Sequence, residues 1–200
     1  MVRLISLLSV LAWLIGCADW KMLNSDTVVA DDVAARLASR PNPTDWQQAT
    51  FGVLADFPGR TFRGEPSDNS SETQADIQSW AWALGGAGLS VTHALEDGTY
   101  GGETLIYQDK SSDALAYVYV TNAGFRTEGT FTLGDDGTWE AIEAVQGHET
   151  ITKVRSRGRV RADDALVMQS DYLSEGEWEP GHGFVYREVF DEMPNLNKPE

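Results

Sequence analysis

The sequence predicts a mainly β protein: an antiparallel barrel or sandwich of eight to ten short strands, preceded by two short N-terminal helices. Three observations predict it. From Gln78 onward large and small or apolar and polar residues alternate with period two, the pattern of strands that bury one face. Turn clusters such as Glu96-Asp97-Gly98 and Asp135-Asp136-Gly137 interrupt that pattern at short, regular intervals. Upstream of Pro58-Gly59 the apolar spacing is instead helical.

The elements follow in order. Over Asp26–Arg40, Val28, Val29, Val33 and Leu37 fall on one helical face and Pro41 ends the run. After the break at Asn42-Pro43, Thr44 is placed to cap a second helix over Asp45–Ala55, with Trp46, Phe51 and Leu54 apolar. Strands are then expected over residues 78–84, 89–95, 103–108, 114–121, 125–133, 138–145, 149–157, 165–172 and 183–190. Gly158 is expected to split the basic stretch around it into two strands. Residues 193–200 read as a frayed tail.

The first seventeen residues carry a different signal. Arg3 precedes an apolar run from Leu4 to Gly16, too short for the roughly 20 residues that span a bilayer but suited to a secretory leader. The run ends in Leu14-Ile15-Gly16-Cys17, which resembles the lipobox of bacterial lipoproteins. The resemblance implies cleavage before Cys17 and acylation of that residue, so that the membrane partner is reached through a lipid anchor. Cys17 is the only cysteine, so no internal disulfide can form, and lipidation accounts for an unpaired cysteine in an exported chain. The sorting signal for inner-membrane retention is an Asp directly after the Cys; here Ala18 intervenes before Asp19. The expected location is therefore the bacterial envelope, facing the periplasm, at the outer membrane. The resulting division is a leader over 1–16, a lipidated tether over 17–25, a helical segment over 26–56, a barrel over 57–190 and a tail over 191–200.

Charge narrows the partners. Fifteen basic and 31 acidic residues leave a formal charge of −16. Nucleic-acid binding needs basic surface and is excluded as an expectation; adhesion to anionic lipid is disfavoured for the same reason.

A second resemblance concerns the barrel. Trp82-Ala-Leu84-Gly85-Gly86, then Leu89-Ser-Val91, Asp97-Gly98-Thr-Tyr100-Gly-Gly102, Ile106-Tyr107, Tyr117-Val-Tyr119 and Gly124-Phe125 are similar to calycin-like bacterial domains of unknown function, distant relatives of lipocalins and nitrobindin-type barrels. The likeness covers about residues 57–190 and rests on turn glycines and core aromatics. It implies an antiparallel barrel with an internal cavity. The Gly-x-Trp motif that opens lipocalins is absent; Pro58-Gly59-Arg60-Thr61-Phe62 stands in its place. No residue matches a nitrobindin-type proximal histidine, so heme is not implied, and no cofactor is expected.

Among residues able to carry chemistry, Lys153, Arg155, Arg157, Arg159 and Arg161 alternate along nine positions. The plain reading is an exterior stripe, with Thr152, Val154 and Ser156 inward and the cations paired to carboxylates on neighbouring strands. The alternative puts Arg155 or Arg157 in the lumen, where a guanidinium would receive an acidic ligand. His93 alternates with apolar residues and reads as a core or lumen histidine with a hydrogen-bond partner. His148 and His182 each follow a glycine and read as strand starts. No two of these histidines have metal-ligand spacing, so no metal site is expected. Glu103 and Glu143 lie within strands. No Gly-x-Ser-x-Gly elbow and no phosphate-binding glycine loop is present. The candidate ligand-binding set is Trp82, His93, Tyr117, Tyr119, Arg155 and Arg157, with no catalytic residue assigned.

The function expected from this reading is binding or carrying a small apolar or acidic ligand in a barrel cavity near the envelope. The alternatives are a scaffold lipoprotein that binds a protein partner through the barrel exterior, and a barrel enzyme using His93 with a lumen carboxylate.

Overall fold

The computed structural model describes residues 33–196. They belong to two compact units that divide between Arg40 and Pro41. In the first, residues 33–38 are helical, which agrees with the last part of the helix expected over Asp26–Arg40. Its earlier residues lie outside the described range, as do Cys17, the leader and the tether.

The second unit opens with helix α1 (Asp45–Phe51). Thr44 caps it: its hydroxyl accepts from Gln47 N at 3.3 Å, and the Gln47 side chain accepts from Thr44 N at 2.8 Å. This reciprocal box satisfies two backbone donors that the first turn leaves open, each such cap being worth about 1 kcal/mol. The α-helix does not run on to Ala55 as expected but tightens into a 3-10 turn over Gly52–Asp56.

Ten antiparallel strands follow: β1 (Thr61–Pro66), β2 (Asp76–Ala83), β3 (Gly88–Leu95), β4 (Gly101–Asp109), β5 (Ala114–Thr121), β6 (Arg126–Leu133), β7 (Thr138–Gln146), β8 (Ile151–Val160), β9 (Leu166–Ser174) and β10 (Glu177–Val189). Each pairs with its sequence neighbour, and β1 also pairs with β10, which closes the barrel. Closure leaves no edge strand to recruit another chain. The predicted strand runs all fall on these elements, Ala114–Thr121 to the residue. Strand β1 has no counterpart among them, because Thr61-Phe-Arg-Gly-Glu-Pro offers one large apolar side chain and therefore no readable alternation.

Two local expectations are corrected. Gly158 does not interrupt β8, which is one strand through to Val160. Its role is close approach: a Cβ there would overlap the Trp139 indole from β7, so the missing side chain makes room for a core tryptophan. A register shift between Ile151 and Lys153 leaves Thr152 as an extra residue. Such a bulge changes which side chains face in. Ile151 and Val154 are both inward in consequence, and Thr152 instead donates to Leu173 O at 3.2 Å.

Helix α1 and the 3-10 turn after it plug one barrel end. Phe51, Leu54, Ala55 and Phe57 are all buried. Phe51 meets Trp82 edge-on at 5.7 Å between centroids, and Phe57 meets Trp80 at 5.0 Å and Phe62 at 5.5 Å. Gln47 Nε2 donates to Gly86 O at 2.9 Å, tying α1 to the β2–β3 turn. Just before and at the start of the expected tail, Glu192 pairs with Arg63 on β1 at 3.0 Å, and Met193 Sδ lies 3.5 Å from the Thr61 hydroxyl.

Candidate ligand-binding cavity

The inward side chains leave a cavity of about 400 Å³, within the usual range for small-molecule sites. Leu54 of the plug contributes to its floor, with Trp80, Ile106, Phe131, Trp139 and Leu166 around it. Ser71, Glu72, Phe125 and His148 line it from loops at the opposite end. No Lys or Arg is among the lining residues.

Between floor and mouth lies a belt of polar groups, built by strand alternation. On the β2–β3 side the Asp76 carboxyl accepts from His93 Nδ1 at 2.7 Å and from the Tyr186 hydroxyl at 2.8 Å. Tyr186 reaches Asp76 from β10 by crossing β1 at Gly64, where a Cβ would overlap its ring. Because Nδ1–H donates to Asp76, His93 Nε2 is left to share a hydrogen bond with the Tyr119 hydroxyl at 2.6 Å. Tyr119 is linked in turn to the Tyr100 hydroxyl at 3.1 Å. Burial pushes the Tyr119 phenol well above the ordinary tyrosine range, and that of Tyr100 up to about 12. These phenols therefore act at neutral pH as hydrogen-bonding hydroxyls, not as anions.

On the β5–β7 side, Glu143 bonds the Thr127 hydroxyl and Tyr117. Burial raises the Glu143 pKa above the carboxylate norm, with those two hydrogen bonds pulling it back. On the β8–β10 side, His182 bonds Ser170 Oγ through Nε2 at 3.1 Å and Tyr172 OH through Nδ1. Ser170 connects on to Ser156 at 2.7 Å.

His182 carries a consequence for acid stability. Burial first, then the neighbouring His93, lowers its pKa from 6.5 to about 4, against the pull of Asp76 and Glu72. Well above pH 6.5 neither the folded nor the unfolded histidine is protonated, and this contribution to stability is complete. As pH falls from 6.5 towards 4, the unfolded chain binds a proton that the fold refuses. Stability is then lost by up to about 1.4 kcal/mol per pH unit. Urea midpoints measured across that interval are expected to fall less steeply in His182→Gln than in the wild type; equal slopes would assign the acid sensitivity to other groups.

The expected site residues divide. His93, Tyr117 and Tyr119 line the cavity. Trp82 does not; it sits at the plugged end against Phe51. Arg155 and Arg157 are on the outer face, alternating with the inward Val154 and Ser156. Both pair with Asp171 of β9, Arg155 at 2.8 Å, and Arg155 also lies over the Trp178 ring at 4.7 Å. The lumen placement of either arginine is thereby corrected in favour of the exterior stripe. His182 is not a strand start but an interior residue of β10.

Sequence reasoning missed Asp76, Gln78 and Tyr186. Gln78 is 6 % exposed; its Oε1 accepts from Trp80 Nε1 at 3.2 Å, and its Nε2 has no hydrogen-bond partner. Trp139 Nε1, against Gly158, is also buried without one. Among the described residues no cluster of three or more His, Cys, Asp or Glu side chains is placed to hold a metal. As a chemical device the belt can hold a polar group of a ligand and can pass a proton along Asp76, His93 and Tyr119. No protein-family model matches the chain, and no curated protein is significantly similar to it.

Proposed function

We propose that the barrel binds a small, uncharged and largely apolar molecule in its interior. The observation that carries this reading is the cavity itself: an aromatic and aliphatic floor beneath a belt of hydroxyl, amide, imidazole and carboxyl groups, with no lysine or arginine among them. An acidic ligand is the weaker half of the original expectation, because it would meet Glu72, Asp76 and Glu143 with no lysine or arginine beside it. Large exposed apolar side chains such as Leu84, Val120, Ile142 and Trp178 come from different elements, which offers little for the scaffold reading.

The anchor belongs to the same proposal. Acylation at Cys17 would hold the barrel at the bacterial envelope, at the outer membrane and facing the periplasm. Its support is the Leu14–Cys17 motif. Among the described residues no helix is long and apolar enough to cross a membrane. Intact-mass analysis of protein taken from bacterial membranes is expected to give a chain that begins at an acylated Cys17, and Cys17→Ser to lack the acyl mass. An unmodified Cys17 would sink the anchor.

For the cavity, N-phenyl-1-naphthylamine and its sulfonated analogue 1-anilinonaphthalene-8-sulfonate share one skeleton and differ in charge. The neutral dye is expected to bind, the anionic one not to. Arg155→Ala and Arg157→Ala should leave neutral binding unchanged, whereas Ala141→Phe, which fills the lumen from β7, should abolish it. Binding of the anionic dye that depends on Arg155 would reverse the charge argument, and indifference to Ala141→Phe would sink the interior site.

A second reading has one specific observation in its favour. His93 faces the lumen within 2.7 Å of a carboxyl and 2.6 Å of a phenol, the geometry of a general acid–base pair. Under this reading Asp76 orients His93, and a bound ligand is also a substrate. Turnover that is lost in His93→Gln while binding persists would separate it from simple carriage.

A further inference from the structure

Interior binding leaves the basic row on β8 without a role. Lys153, Arg155, Arg157 and Arg159 stand on its outer face, alternating with the inward Val154, Ser156 and Gly158. The eight residues paired with them across β7 and β9 include two carboxylates, Glu140 and Asp171, and no further cation. The row is thus a cationic strip on a chain of formal charge −16. Arg155 and Arg157 share Asp171 through one oxygen, Oδ2, so most of the N–H donors on each guanidinium stay open. Among the described residues no carboxylate lies in ion-pair range of Lys153 or Arg159. Two exposed apolar side chains flank the strip: Ile142 of β7 opposite Arg155, and Trp178 of β10, whose ring lies 4.7 Å from the Arg155 guanidinium.

The strip is narrow and short. Alternate residues on a strand are about 6.8 Å apart, so four cations cover roughly 20 Å in a single row. Carboxylates bound it at both ends: Glu175 and Glu177 where β9 turns into β10, and Asp163 and Asp164 where β8 turns into β9. A broad anion such as a lipid surface or a nucleic-acid duplex would also meet the acidic remainder of the barrel; one extended chain meets the strip alone. We propose that the outer face of β8 docks a short, extended acidic segment of a protein partner, with alternate carboxylates seated on Lys153, Arg155, Arg157 and Arg159. An extended chain repeats its side chains at the spacing of β8 itself, so carboxylates two residues apart match the cations one to one. Ile142 and Trp178 offer apolar contact on either side. Docking is through side chains, because the closed barrel has no free strand edge. The inference is independent of what the cavity holds.

The test measures fluorescence anisotropy of two dye-labelled, end-capped peptides with the purified full chain. One is Glu-Thr-Glu-Thr-Glu-Thr-Glu; the other, Glu-Glu-Glu-Glu-Thr-Thr-Thr, has the same composition but puts only half its carboxylates on one extended face. Salt is held at about 0.15 M, where charges more than about 8 Å away are screened. The alternating peptide is expected to bind more tightly. The double variant Lys153→Gln, Arg159→Gln breaks no ion pair of the fold, and should weaken that binding roughly 3- to 20-fold, the range for two exposed ionic contacts. Lys110→Glu, on the β4–β5 turn, lowers the net charge equally and should leave it unchanged. Equal affinity for the two peptides, binding of neither, or an equal loss in Lys110→Glu overturns the proposal. Phosphatidylglycerol vesicles that bind in a Lys153- and Arg159-dependent way, while the peptides do not, would give the strip to a lipid surface instead and overturn it as well.

Discussion

Asp76→Ala is expected to lower unfolding stability by about 3–5 kcal/mol, the cost of leaving buried hydrogen-bonding partners of a charged group unmet. Asp76 is 3 % exposed and holds two residues at once, the fully buried Tyr186 and the lumen-facing His93. It also sits at the seam where the barrel closes, since the Tyr186 phenol crosses β1 to reach it. Truncation strands the Tyr186 hydroxyl in the interior and frees the His93 ring to rotate. Tyr186→Phe removes one of the two hydrogen bonds and nothing else, and should cost only about 1–2 kcal/mol. Urea denaturation of the three proteins measures both effects. Asp76→Ala within about 1 kcal/mol of the wild type would mean that the seam is held by strand pairing alone.

Phe51→Ala is expected to cost a comparable amount, about 3–5 kcal/mol, by a different mechanism. Phe51 is wholly buried and joins the plug to the barrel through an edge-on contact with Trp82 of β2 at 5.7 Å, with Trp46 of its own helix edge-on at 5.9 Å. Its loss opens a void between helix and sheet and loosens the 3-10 turn that carries Leu54 into the cavity floor. Stability and the affinity for a neutral dye should therefore fall together. A variant that is destabilised but binds the dye as before would show that the floor is shaped by the strands and not by the plug. Trp46→Ala is the control, because Trp46 is half exposed and does not line the cavity.

The candidate site was legible only in part. His93, Tyr117 and Tyr119 stand out in the sequence because aromatic and imidazole groups alternate with small or apolar neighbours, and all three face the lumen. Trp82 obeys the same alternation and shares a face with Trp80 and Gln78, yet it falls at the plugged end, since periodicity reports a face and not a depth along the barrel. Arg155 and Arg157 turned on parity. Which face of β8 is interior is decided by its pairing with β7 and β9 and by the bulge at Thr152, and a one-residue slip inverts every side chain. Glu143 and His182 are polar strand residues, ordinarily solvated; they are interior because hydroxyls on other strands, Thr127 and Tyr172 among them, meet them there.

Local physical chemistry therefore determined, from the sequence alone, that the chain is mainly β, where nearly all its strands run, and that Thr44 starts a helix. Alternation, turn residues and caps act over a few positions and need no partner to be read. Closure of the barrel through β1, the cavity and the Asp76–His93–Tyr119 chain were decided only by the tertiary structure. Tyr186 and Asp76 lie 110 residues apart and meet across a glycine; no local pattern carries such a contact, because it exists only once ten strands have come into register.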